Sequence, residues 1–90
     1  MRQPFFTDLT DTQWGLLRAG PLARLPDPGD LRCVVNALLY QERSRCPWGL
    51  LPPGFPAPDR LRAASAELRQ GGRWKAVGEL IAANPPEWAV

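Results

Sequence analysis

The sequence predicts a small all-α bundle of about four helices that forms a single domain. Ninety residues are enough for one hydrophobic core and too few for two. Apolar residues recur at the spacing of helices that each bury one face. Residues that favour strands are scarce, since the chain has one Ile and four Val. We expect the core to lie within about residues 7–83 and a proline-containing tail to occupy residues 84–90.

The first helix has a strong start signal. Thr10 is a good N-cap, and Gln13 follows at the three-residue spacing of a capping box. Leu9 and Trp14 occupy the two positions of a hydrophobic staple, and Gly20-Pro21 ends the helix. Trp14 and Leu17 are expected to face the core, with Leu16 as a further candidate.

A proline-rich connector over residues 21–29 precedes the second helix. Asp30 is the expected N-cap, and the helix should run to about Arg45. Asn36 and Tyr40 lie at the edge of its apolar stripe, where they can form hydrogen bonds. The stripe itself, at the spacing of a helix that buries one wide face, consists of Leu31, Val34, Val35, Leu38 and Leu39.

The second half of the chain predicts a short turn and two further helices. Residues 48–51 can form one helical turn before the prolines at 52 and 53. Asp59 should cap a third helix that continues to about Gln70 and ends at Gly71-Gly72. A fourth helix should run from Arg73 to about Ala83. The two helices should bury Leu61, Ala64, Leu68, Trp74, Val77, Leu80 and Ile81.

Large side chains must fill this small core. The residues expected to form its centre are Trp14, Leu17, Val35, Leu38, Tyr40, Trp48, Phe55, Leu61, Leu68 and Trp74.

Composition argues against a self-sufficient active site. The chain has no His, which removes the commonest general base and the commonest metal ligand. Cys33 and Cys46 have no second pair of ligands for a zinc site. We therefore expect a protein that is not an enzyme, binds no metal and needs no cofactor. No signal peptide or membrane span is evident, and we expect a cytoplasmic location.

Several short motifs, taken in order, resemble the N-terminal helix-turn-helix domain of insertion-sequence transposases. The similarity covers residues 7–82, and the order and spacing of the motifs carry it. The resemblance implies a helix-turn-helix-like arrangement in a domain that helps to grip DNA and precedes a catalytic domain. The motifs are Leu9–Trp14, Val35–Tyr40, Cys46–Pro52 with Phe55-Pro56, and Gly72–Trp74.

The sequence departs from the family pattern in two places. Residues 25–30 contain Pro and Asp where family members tend to be basic. The third helix contains Ala, Ser and Glu where family members carry Arg and aromatic residues. We therefore expect a divergent module without the catalytic domain, either a truncated transposase fragment or one adapted to another role.

Two functions remain open at this point. In the first, the module binds double-stranded DNA, although a formal net charge of +2 does not by itself indicate a nucleic-acid binder. The third helix would enter the major groove through Arg60, Arg62 and Arg69. Phosphates would then be held by Arg43, Arg45, Arg73 and Lys75. In the second, the domain binds another protein, with Trp88 as a candidate anchor.

Both thiols should be free. The two cysteines are thirteen positions apart on one predicted helix and just after it, which places them about 20 Å apart at 1.5 Å per residue. The Cα atoms of a disulfide lie within about 7 Å of each other. Thiol titration of the unfolded, unreduced protein should count two free groups, and a count of zero would contradict the helix assignment.

Overall fold

A computed structural model of the chain describes residues 8–27, 29–51 and 54–85, with Trp48 described in its backbone alone. These residues form α1 (Asp11–Ala19), α2 (Leu31–Ser44), α3 (Pro58–Arg69) and α4 (Arg73–Ala83), and they contain no strand. The all-α class is thus confirmed. A 3-10 turn at Gln70–Gly72 joins α3 directly to α4. The bundle therefore packs as three helical segments, the last of them bent, rather than four separate helices.

Helix α1 begins as the sequence predicts. The Thr10 hydroxyl accepts a hydrogen bond from the Gln13 backbone N–H at 3.1 Å, and the Gln13 side chain accepts one from the Thr10 N–H at 2.9 Å. Leu17 is buried, and Trp14 is half-buried against the core. Leu16 faces solvent with 38% of its surface exposed. Leu16 was a further candidate for the inward stripe, and it lies outside the core.

Helix α2 lies at the centre of the bundle. All five residues of its predicted stripe are buried, and so are Asn36 and Ala37, so the helix is enclosed on every side from Val34 to Leu39. The Asn36 Oδ1 accepts a hydrogen bond from the Leu9 N–H at 2.8 Å. This bond satisfies a polar group inside the core and fixes the chain that enters α1.

The cap of α2 differs from the prediction. Asp30 occupies the N-cap position, but its side chain makes no capping hydrogen bond, and its backbone (φ −119°, ψ 6°) is outside the extended region usual for a cap. The Asp27 carboxylate instead accepts hydrogen bonds from the N–H groups of Gly29 at 2.8 Å and Leu31 at 3.3 Å. The turn of the connector thus places an earlier carboxylate over the start of the helix.

Asp59 does not cap α3 either. The N-cap position is Ala57, and Pro58 is the first helical residue, a position that suits proline because no backbone N–H is needed there. Asp59 therefore lies inside the first turn, where it pairs with Arg62 at 3.6 Å. The inward face of α3 is as expected, with Leu61, Ala64 and Leu68 buried.

The connector contributes to the core, which the sequence did not indicate. Leu22 and Leu25 are buried, at 0% and 7% exposure. The Arg18 Nη1 donates hydrogen bonds to their carbonyl oxygens at 2.8 Å and 3.0 Å, and its guanidinium lies 6.0 Å from the centre of the Trp14 ring. One arginine of α1 therefore holds the connector against the bundle.

Two glycines allow the bend between α3 and α4. Gly71 and Gly72 have φ values of 63° and 76°, in the left-handed region that favours glycine. Helix α4 then buries Val77 and Ile81 and packs Trp74 and Leu80, both half-buried, against the core.

The other residues predicted to form the core differ in how deeply they are buried. The aliphatic residues Val35 and Leu38 are buried, whereas the aromatic residues Tyr40 and Phe55 are half-buried and lie with their rings 5.6 Å apart. The side chain of Trp48 lies outside the described part of the chain. Aliphatic side chains therefore form the centre of this core, and the described aromatic rings cover it.

Asn36→Ala should lower the free energy of unfolding by about 1–3 kcal/mol, because it leaves the buried Leu9 N–H without an acceptor. Urea denaturation measures the change. Asn84→Ala is the matched control: that side chain is exposed and bonds only the Leu80 carbonyl, so its effect should stay within about 0.5 kcal/mol. Equal effects of the two variants would contradict the role given to Asn36.

The Asp27 cap should make stability depend on acid pH. The N–H groups of Gly29 and Leu31 hold the pKa of this carboxyl below its ordinary value of 3.8. The unfolded chain then takes up this proton at a higher pH than the folded chain, so the stabilisation is present above about pH 4 and is lost as pH falls through the lowered pKa. Urea midpoints of the wild type and Asp27→Ala should converge as pH falls; curves that stay parallel would contradict the cap.

Candidate nucleic-acid interface

The three arginines proposed to read DNA do not share one face of α3. Successive residues of a helix are rotated by about 100°, so Arg62 and Arg69 lie nearly in line, whereas Arg60 lies roughly 160–180° away from both. A ligand that contacts Arg62 and Arg69 together is therefore out of reach of Arg60.

Two of these arginines already have carboxylate partners. Arg60 is half-buried, and its Nη2 lies 3.1 Å from the Asp30 Oδ1. Arg62 is exposed and pairs with Asp59 at 3.6 Å, at the three-residue spacing of neighbours on a helix. Both pairs reduce the positive charge that α3 can offer a phosphate. Of the three arginines on α3, only Arg69 has no carboxylate partner among the described residues.

Arg69 belongs to a different arrangement, centred on Trp74. Its Nε donates a hydrogen bond to the Ser65 hydroxyl at 3.0 Å, and its guanidinium lies 5.9 Å from the centre of the Trp74 ring. The Trp74 indole N–H donates to the Glu42 carboxylate at 3.0 Å. These contacts bring together the end of α2, the end of α3 and the start of α4.

Five basic residues lie close to this junction along the chain. Two of them follow Glu42 within three positions, and two flank Trp74. The fifth, Arg69, directly precedes the turn and contacts the Trp74 ring. We call this group the basic end; it consists of Arg43, Arg45, Arg69, Arg73 and Lys75. Arg73 is half-buried and the other four are exposed. None of the five forms an ion pair within the described residues. The basic end therefore presents most of its positive charge to solvent.

The sequence analysis did not identify Glu42 as the residue that binds the Trp74 indole and so positions this ring. It follows Leu38 by four positions and so lies on the line of the α2 apolar stripe, one turn beyond the core. A carboxylate that continues a buried stripe could have predicted a hydrogen bond from a donor on another helix. Trp74, for its part, was expected to serve only as a core residue.

Other site chemistry is sparse in the described ranges. They hold no cluster of three or more Cys, Asp or Glu residues arranged to bind a metal ion. The Cys33 Sγ lies 3.7 Å from the Gly54 carbonyl oxygen, and the Cys46 Sγ lies 3.2 Å from that of Leu50; neither cysteine is in a disulfide. None of the helices described has the length and apolar character needed to span a bilayer.

Comparisons of the chain with protein-family models, with curated proteins and with solved structures found no match. The resemblance to transposase N-terminal domains therefore rests on the motifs in the sequence.

Proposed function

We propose that this chain is a transposase-related helix-turn-helix module that binds double-stranded DNA through its basic end. The observation that carries the proposal is the position of five cations that form no ion pair within the part of the chain that the structure describes. Arg73 and Lys75 stand in the first turn of α4, and Arg43, Arg45 and Arg69 lie at the helix ends that meet it.

The connection between α3 and α4 supports a helix-turn-helix assignment. Two helices joined by a turn of three or four residues that contains glycine define the motif, and Gln70–Gly72 is such a turn. In that motif the second helix enters the major groove with its N-terminal residues towards the bases, and the first helix crosses the backbone. By this assignment the recognition helix is α4, whose first turn is basic, rather than α3.

Charge supports the same choice. The basic end contains five cations and Glu42, whose carboxylate is bound by the Trp74 indole. Phosphate contacts of this kind supply most of the non-specific affinity for DNA. The weak overall charge of +2 is thus compatible with DNA binding, because most of the cations that have no carboxylate partner among the described residues lie at the basic end.

Fluorescence anisotropy with a labelled random duplex tests the proposal. The wild type should bind with a dissociation constant of about 10⁻⁴ to 10⁻⁶ M, and the slope of log affinity against log salt should be no steeper than about −4.5 for five phosphate contacts. The double variant Arg73→Gln/Lys75→Gln should make that slope shallower by about 1.8 and weaken binding at least tenfold at about 50 mM salt.

The matched control is Arg60→Gln/Arg62→Gln, which removes the same charge from α3. It should change affinity by less than about threefold, since both arginines are already paired. Circular dichroism checks that each variant is folded. If the control lost more affinity for DNA than the α4 variant, the DNA contact would lie on α3 instead of α4. Failure of the folded wild type to bind at low salt would refute the DNA-binding function.

A further inference from the structure

An open groove lies between the connector, the start of α2 and one flank of α3. Its volume is about 360 Å³, and Leu25, Leu31 and Leu68 contribute apolar surface to its floor. A groove of this size accommodates an aliphatic side chain. The α3 flank that borders it is the one opposite to Arg62 and Arg69.

The rim of the groove is acidic. Asp27 and Glu67 line it and form no ion pair within the described residues. Arg60 also lines it, but its charge is matched by Asp30 at 3.1 Å. An apolar floor with an acidic rim favours an apolar side chain that is flanked by positive charge.

The surface of this same protein presents such a side chain. Leu50 is 72% exposed, against 38% for Leu16, the other large exposed hydrophobic residue in the described ranges. The Gln41 side chain donates to the Cys46 carbonyl at 3.3 Å, and the Cys46 Sγ lies 3.2 Å from the Leu50 carbonyl oxygen. These contacts hold the turn that carries Leu50 against the end of α2, beside Arg45.

The groove borders α2 at Leu31 and extends along α3 to Glu67 and Leu68, and the turn with Leu50 also lies beside α3. Leu31 begins this helix, whose 14 residues span about 20 Å, and the turn with Leu50 follows its end. Leu50 is 72% exposed, so its own molecule does not place it in the groove. A second copy can, because each copy offers both parts.

We propose that the protein self-associates head to tail, with Leu50 of one copy inserted into the groove of the next and Arg43 and Arg45 facing the acidic rim. The contact is heterologous, so it builds a ring or an open chain rather than a two-fold dimer. It is a small contact and hence a weak one. This proposal does not rest on DNA binding and is tested without DNA, although both interactions would use Arg43 and Arg45.

Sedimentation equilibrium tests the contact directly. The weight-average mass of the wild type should rise with protein concentration between about 10 µM and about 1 mM, the range in which weak contacts form. Added salt should reduce the rise, since opposite charges flank the contact. Leu50→Ser should weaken association by about tenfold or more, through loss of one buried leucine. Leu16→Ser, the matched control, should associate like the wild type.

Mixing two variants tests the head-to-tail geometry. Leu50→Ser keeps an intact groove, and Glu67→Lys keeps an intact Leu50 while its rim charge is reversed. Each variant alone should remain monomeric, whereas an equimolar mixture should form a heterodimer held by one intact contact. Both substituted residues are exposed, and circular dichroism confirms folding. A monomeric wild type at every concentration, full association of Leu50→Ser alone, or a mixture that stays monomeric would overturn the proposal.

Discussion

Helix α2 is enclosed on every side between Val34 and Leu39, and the other elements are placed by the need to cover it. A helix buried all round in so short a chain cannot be covered by one neighbour. The segment before α1 covers it at Asn36, α3 packs along it, and Trp74 of α4 contacts its end. Because Asn36 is polar, its burial depends on the hydrogen bond from the Leu9 N–H. That bond joins the most central helix to the first one.

The three helical segments do not complete this cover, and the connector supplies the remainder. Its two leucines are buried even though the surrounding sequence has turns and prolines rather than a helical repeat. Arg18 reinforces this irregular segment by donating to two connector carbonyls, those of Leu25 and of Leu22, the second of which also accepts a hydrogen bond from the Leu25 N–H at 3.3 Å. The same segment forms one wall of the groove that we propose as a contact between copies.

Charge is distributed unevenly over the resulting surface. Along the groove, Asp30 pairs with Arg60, Asp27 caps α2, and Glu67 forms no ion pair within the described residues. Where α2 and α3 end and α4 begins, five cations lie near a carboxylate that an indole already binds. A net charge close to zero therefore conceals an acidic groove and a basic junction of helix ends. This separation supports both proposals, a basic end for DNA phosphates and an acidic groove for a basic apolar segment.

The amino-acid sequence alone determined the helical class, the start of α1 and the buried stripes of α2 and α3, because local hydrogen bonding and helical periodicity control these features. Asp30 holds the predicted N-cap position but makes no capping bond with its side chain, and the cap predicted at Asp59 was wrong. The path of the connector and the presence of Pro58 decide which carboxylate reaches the start of each helix. The division of the arginines was likewise decided in three dimensions. The composition gives the number of charges but not which of them pair. Only the packing of the helices brings Asp30 to Arg60 and leaves Arg73 and Lys75 without a partner among the described residues. Long-range contacts of this kind have no signature in local sequence, since they join residues that are 30 or more positions apart.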